Sequence, residues 1–174
     1  GNLDWVVIKY GYGGISFSEH NVFSRSEPVI GNTTIMNSQV RGIMIQEVNP
    51  SLSNMTIKNN GGAAIMIYYL TNSNVEFSGV QNVQNNGVNG VQLFGYSNAA
   101  TINANRTWYN DLPYYLGVDS SPVYSNNNIQ ILSGNTLTLE PGTIVKFSRM
   151  SGAQAVQGRI YIQGNINAIG TASQ

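Results

Sequence analysis

The sequence predicts an all-β chain wound as a right-handed parallel β-helix (a β-solenoid) of about seven coils, with a seam near residues 104–128. Three observations carry that expectation. One phrase is repeated three times between Val29 and Phe94: Ile35-Met36-Asn37 leading to Gly42-Ile43-Met44-Ile45, Ile57-Lys58-Asn59-Asn60-Gly61 leading to Ala64-Ile65-Met66-Ile67, and Val83-Gln84-Asn85-Asn86-Gly87 leading to Gly90-Val91-Gln92-Leu93. Each phrase is an apolar alternation of period two, which sends successive side chains to opposite faces of a strand. Its small anchor residue recurs at Gly14, Gly42, Ala64 and Gly90, at steps of about 28, 22 and 26 residues, a solenoid spacing. Third, the segments between alternations are rich in Asn and Gly, the residues that accept turn geometry most readily.

The elements follow in order. Leu3 to Gly11 opens directly in a strand of β-branched and aromatic residues, and Gly13-Gly14-Ile15-Ser16-Phe17 is the first anchor phrase. His20 to Glu27, closed by Pro28, reads as a loop or insertion. Stacked coils bury apolar faces that none could bury alone. This places Ile15, Ile43, Ile65 and Val91 in one inward column and Phe17, Ile45, Ile67 and Leu93 in another. A small anchor suits a corner where a bulky side chain would strike the next coil. Asn37, Asn59, Asn60, Asn85 and Asn86 have two structural roles open to them, left-handed backbone or stacked amide ladders. The repeat blurs from Ser97, and Arg106 to Tyr115 is an aromatic cluster around Pro113. A new pattern starts at Ile129, where Glu140-Pro141-Gly142 is a tight turn between two alternating strands. Arg159 to Thr171 supplies two more short strands with a glycine corner.

The stretch Leu137 to Phe147, followed by Ile162 to Thr171, resembles the opening coils of right-handed β-helix repeat modules of bacterial surface and secreted proteins, of pectate-lyase-like architecture. The Leu112-Pro113-Tyr114-Tyr115 approach is similar to the lead-in of such modules, and residues 3–94 are similar to their later coils. The resemblance implies three parts: later coils of one module over 1–103, an aromatic and proline seam over 104–128, and opening coils of a next module over 129–174. The order, late coils before opening ones, suggests a fragment spanning the junction of two tandem modules.

Composition narrows the function. The formal net charge is +0 and only 9% of the 174 residues are charged, so the chain lacks the basic stripe that nucleic-acid binding requires. It has no cysteine, which excludes disulfides and thiolate metal sites. No apolar run approaches the roughly 18 residues of a membrane span. No signal peptide precedes Leu3, consistent with a mature or excised piece. Low charge with abundant Asn, Ser, Gly and Tyr points to an extracellular or cell-surface location.

β-Helices include polysaccharide-cleaving enzymes, so a catalytic constellation has to be sought. Glycoside hydrolysis needs two carboxylates facing one sugar bond. The acids are Asp4, Glu19, Glu27, Glu47, Glu76, Asp111, Asp119 and Glu140, and none forms an adjacent Asp-Asp pair like that of the polygalacturonase family. Glu19, His20, Arg25 and Glu27 form the densest ionisable cluster, on what reads as a solvated loop. His20 alone makes no metal site, and no stretch concentrates the six to eight oxygens calcium takes, although Glu47 and Glu76 could converge from neighbouring coils. No catalytic residue, metal or cofactor is therefore assigned. An ice-binding array would need a regular outward Thr column, and Ser16, Met44, Met66 and Gln92 break it.

The candidate binding surface is aromatic: Tyr68 and Phe94 fall in one outward column on successive coils, about 4.8 Å apart, with Tyr69 and Tyr96 beside them. The sequence thus leads to a non-catalytic extracellular module of a surface or filament-forming protein, acting as spacer, adhesin or assembly unit. Its partners would be neighbouring copies or tandem modules stacked end to end, because uncapped solenoid ends are open strand edges. The alternative is a carbohydrate-binding or polysaccharide-degrading β-helix that uses its lateral face.

Overall fold

The computed structural model describes residues 2–18, 27–68, 74–79, 81–94, 100–116, 128–147 and 158–170. Among them are twenty strands and no helix, grouped three to a coil. The first coil holds β1 (Asn2–Asp4), β2 (Val7–Lys9) and β3 (Ile15–Ser18), and the second holds β4 (Val29–Gly31), β5 (Thr34–Met36) and β6 (Ile43–Gln46). The third comprises β7 (Ser51–Ser53), β8 (Thr56–Lys58) and β9 (Ala63–Tyr68). The fourth comprises β10 (Glu76–Ser78), β11 (Asn82–Gln84) and β12 (Val88–Phe94). β13 (Ala100–Ile102), β14 (Arg106–Trp108) and β15 (Tyr114–Leu116) make the fifth; β16 (Asn128–Ile131), β17 (Thr136–Leu139) and β18 (Val145–Phe147) make the sixth. β19 (Arg159–Ile162) and β20 (Asn165–Ala168) begin a seventh.

Every pairing is parallel and joins equivalent strands of adjacent coils, which defines a β-solenoid. It makes about five turns, slightly fewer than the expected coil count: the longest sheet has six strands, and five turns separate its first from its last.

The expected inward columns are present in register. Ile15, Ile43, Ile65 and Val91 pair in succession, as do Phe17, Ile45, Ile67 and Leu93, and the two rows continue into Tyr114 and Leu116. From Ile43 to Leu116 these side chains are buried. Parallel rows run up the other faces, Ile30 over Leu52 and Ile35 over Ile57, all fully buried. Each such side chain removed from water contributes about 1.5–3 kcal/mol. The small anchors are explained by close approach. A Cβ added at Gly42 would lie 2.5 Å from the Ala64 carbonyl oxygen and 2.6 Å from Ile57 Cγ2, and one at Gly14 would overlap the Gly42 carbonyl.

The turns of the first four coils are two columns of left-handed backbone. Trp5, Asn32, Asn54 and Gly79 close the first corner, and Tyr10, Asn37, Asn59 and Asn85 the second, all at positive φ. Asn also supplies the ladders. Asn54 Nδ2 donates to Asn32 Oδ1 (3.2 Å), and Asn32 Nδ2 to Asp4 Oδ1 (3.0 Å). One residue past the second corner, Ser38 N–H donates to Asn60 Oδ1 (2.9 Å), and Asn60 Nδ2 to Asn86 Oδ1 (2.8 Å). Asn60 is only 3% exposed, so the ladder satisfies polar groups that the stack removes from water.

Between coils four and five the solenoid changes. Two of its three sheets end at β10 and β11 and restart as separate sheets at β13 and β14, while the third runs unbroken through β12, β15 and β18. Within the 104–128 stretch, residues 104–116 thus continue the solenoid and residues 117–127 lie outside the described ones. Phe77 meets Tyr109 edge-on across the break at 6.4 Å, and Trp108 stacks on Tyr114 at 4.6 Å in the core below it. The sixth coil stacks onto the fifth through three parallel pairings, and β19 and β20 stack onto the sixth through two more. The Glu140-Pro141-Gly142 turn forms as expected, with Thr143 N–H donating to Glu140 O (3.0 Å) and Gly142 at φ 87°.

Candidate binding surface on the unbroken sheet

The unbroken sheet is the one surface that spans both parts of the solenoid. Its outward positions on the pleat carry Ser16, Met44, Met66, Gln92, Tyr115 and Lys146 in one row. Gln46, Tyr68 and Phe94 continue a second row. The in-register pairing of Tyr68 with Phe94 is the juxtaposition expected from the alternation, and their ring centroids lie 4.7 Å apart, tilted by 50°. Tyr69 and Tyr96 lie outside the described residues.

This face is less open than an outward row implies. Phe94 is 4% exposed, Gln92 5% and Met66 8%, while Tyr68 is half-buried. Period-two alternation reports which side of the sheet a residue takes; it does not report what covers that side. The accessible part of the aromatic pair is therefore the Tyr68 ring, and Phe94 backs it.

Two cations sit on the aromatic groups. The Arg41 guanidinium lies 5.8 Å from the Tyr68 ring centroid, with Nη1 3.2 Å from Met66 Sδ. Lys146 Nζ lies 5.1 Å from the Tyr115 centroid and donates to its hydroxyl at 3.2 Å. Beside Arg41, a groove of about 350 Å³ crosses coils two to four; its walls and floor include Arg41, Gly61, Gly62, Met66, Tyr68 and Gln92. Sequence reasoning passed over Arg41 and treated Gln92 only as a break in a Thr column. The signal for Arg41 was available: it stands just before the Gly42 anchor, next to the outward row, where the third coil has Ala63.

Among the described residues, no three His, Cys, Asp or Glu side chains converge as a metal-binding group. Glu47 lies in the turn after β6, at the end of the unbroken sheet, whereas Glu76 lies in strand β10 of a different sheet. Glu76, Glu140 and Asp111 gather instead around Tyr109, whose hydroxyl is pushed above its ordinary range by burial first and by those carboxylates after it. Tyr114 is raised further, chiefly by burial, and its hydroxyl accepts a bond from Tyr109 N–H (3.1 Å). Of the expected ionisable cluster, Glu19, His20 and Arg25 lie outside the described residues.

Compared with known proteins, the chain matches no family model, no curated protein and no solved structure at a significant level. The resemblance read from the sequence thus stands at the level of architecture, a parallel β-solenoid.

Proposed function

We propose that the chain is a non-catalytic module of an extracellular surface or filament-forming protein, related to the pectate-lyase-like repeat modules of bacterial surface proteins, and that it works by stacking end to end with neighbouring copies or tandem modules. The observation that supports this most is the state of the last described coil. Ile162 and Ile166 continue the columns of Ile131 and Leu137, which are fully buried, yet are themselves 56% and 36% exposed. At the opposite end Leu3, Ile8 and Ile15 lead the same kind of column and are only partly buried. Among the described residues, each end thus presents apolar side chains beside an unpaired parallel strand edge, the arrangement that the next coil covers elsewhere in the solenoid.

Sedimentation velocity over a wide concentration range tests this. The expected result is a mass that rises with concentration, reverting to monomer in Ile162→Glu/Ile166→Lys. A monomer at all concentrations that binds no hydrophobic dye would overturn it.

A second reading, carbohydrate binding on the lateral face, is favoured by the Tyr68–Phe94 ring pair beside the groove. A glycan array distinguishes it: this reading expects polysaccharide binding that Tyr68→Ala abolishes and that the end-face variant retains. Absence of binding by the wild type, or unchanged binding by Tyr68→Ala, leaves the rings a purely structural pair.

A further inference from the structure

The groove beside Arg41 has a chemistry that end-to-end stacking leaves unused. Arg41 presents five N–H donors, and among the described residues its partners are a thioether sulfur and an aromatic ring face. Among the described residues no carboxylate pairs with it. A thioether is a weak acceptor, so most of the guanidinium's hydrogen-bonding capacity is unspent. Across the same groove stands Gln92, a residue only 5% exposed whose side-chain amide makes no hydrogen bond to the described residues and is not sealed off from the groove it lines. It can meet the polar group of a ligand there.

We infer that this groove is a binding site for a small organic carboxylate. The ligand's carboxylate lies against the Arg41 guanidinium, which matches its planar geometry with two parallel donors, and the Gln92 amide takes the adjacent polar group. The remainder of the ligand rests along Met66, the Tyr68 edge and the Gly61-Gly62 floor. At about 350 Å³ the groove is toward the small end of the range for small-molecule sites, the size of one ring or a short chain. The Tyr68 ring holds the guanidinium in place from one side while Phe94 supports that ring from below, so the cation is positioned before any ligand arrives.

The test is a nitrogen-15 chemical-shift titration of the protein near neutral pH with glucuronate, benzoate and N-acetylglutamate. Glucose, benzyl alcohol and N-acetylglutamine serve as neutral counterparts. The expected result is saturable shifts at the Gly61 and Gly62 amides with at least one acid, and affinity weaker by about tenfold or more for its neutral counterpart. Arg41→Gln should weaken the same acid by a similar factor, Arg41→Lys by less, and Gln92→Leu severalfold with the charge dependence retained. The three acids separate a sugar, an aromatic and an amino-acid source of the shared carboxylate. The inference is overturned if none of the acids saturates, if acid and neutral counterpart bind alike, or if folded Arg41→Gln binds as well as the wild type. The neutral-counterpart comparison uses the wild type alone, so the outcome does not depend on any variant folding.

Discussion

Coils one to four and coils five to seven wind the same three-strand turn but hold their corners differently. In the first group each of two corners is turned by a single left-handed residue, mostly Asn, and Asn side chains bond from coil to coil above it. In the second group the corners also close on themselves: Asn135 Nδ2 donates to Leu132 O and Ser133 O within its own turn, and Thr143 N–H donates to Glu140 O. Coil-to-coil bonds persist there, from Thr136 N–H to Asn105 Oδ1 (2.9 Å), Asn110 Nδ2 to Pro141 O (2.9 Å) and Thr143 Oγ1 to Trp108 O (3.1 Å), but they run to different partners at each corner. Turns carry axial order in both groups; only in the first do they do so as a repeated column of left-handed residues.

The sharpest way to break the upper group is at an anchor. Gly42→Val places side-chain atoms against the Ala64 carbonyl and Ile57, and should cost about 3 kcal/mol or more in chemical denaturation. In the lower group, Gly134→Ala has open space around it and only its φ of 81° to strain, so about 1 kcal/mol is expected. Core truncation should not distinguish the groups: Ile57→Ala and Leu137→Ala each remove a fully buried side chain, at about 2–5 kcal/mol. Equal costs on both sides would show that the break in the sheets is not a break in the core.

The ladder offers an intermediate test. Asn60→Ala leaves the buried Ser38 N–H without its acceptor and should cost about 1–3 kcal/mol, whereas Asn135→Ala loses only local bonds and should cost less. Tyr114 gives the junction a pH signature. Its hydroxyl is raised above its ordinary value of 10.0 chiefly by burial, so the native state holds a proton that the unfolded state releases. That contribution is complete below about pH 10 and is lost as pH rises beyond it. An alkaline denaturation midpoint that does not move in Tyr114→Phe would contradict this. The smallest effect concerns the first coil, where Trp5 and Tyr10 hold left-handed backbone that Asn or Gly holds above them. Tyr10→Asn should stabilise by about 1 kcal/mol, read as a raised melting temperature.

The inward columns were legible in the sequence because alternation and small anchors are local signals that each coil repeats. The left-handed positions were legible for the same reason at Asn37, Asn59 and Asn85. Trp5 and Tyr10 escaped notice because their side chains do not announce such geometry; only the register with Asn32 and Asn37 does. The candidate site was half legible. The Tyr68–Phe94 pair follows from counting along strands, but the burial of Phe94, Met66 and Gln92 depends on what lies over the sheet, which period two does not encode. Arg41 reaches Tyr68 across a coil, and a contact of that kind has no sequence period at all.

End-to-end stacking admits one direct measurement, helped by the absence of cysteine from the chain. Lys9 and Asn167 are exposed outward positions on β2 and β20, on the first and last described coils. In a head-to-tail stack Lys9 of one copy lies beside Asn167 of the next, whereas within one copy the solenoid separates them. The account predicts that Lys9→Cys/Asn167→Cys gives a ladder of disulfide-linked oligomers on mild oxidation, and that neither single variant does. Monomer alone from the double variant, or dimers from either single variant in equal yield, would contradict it.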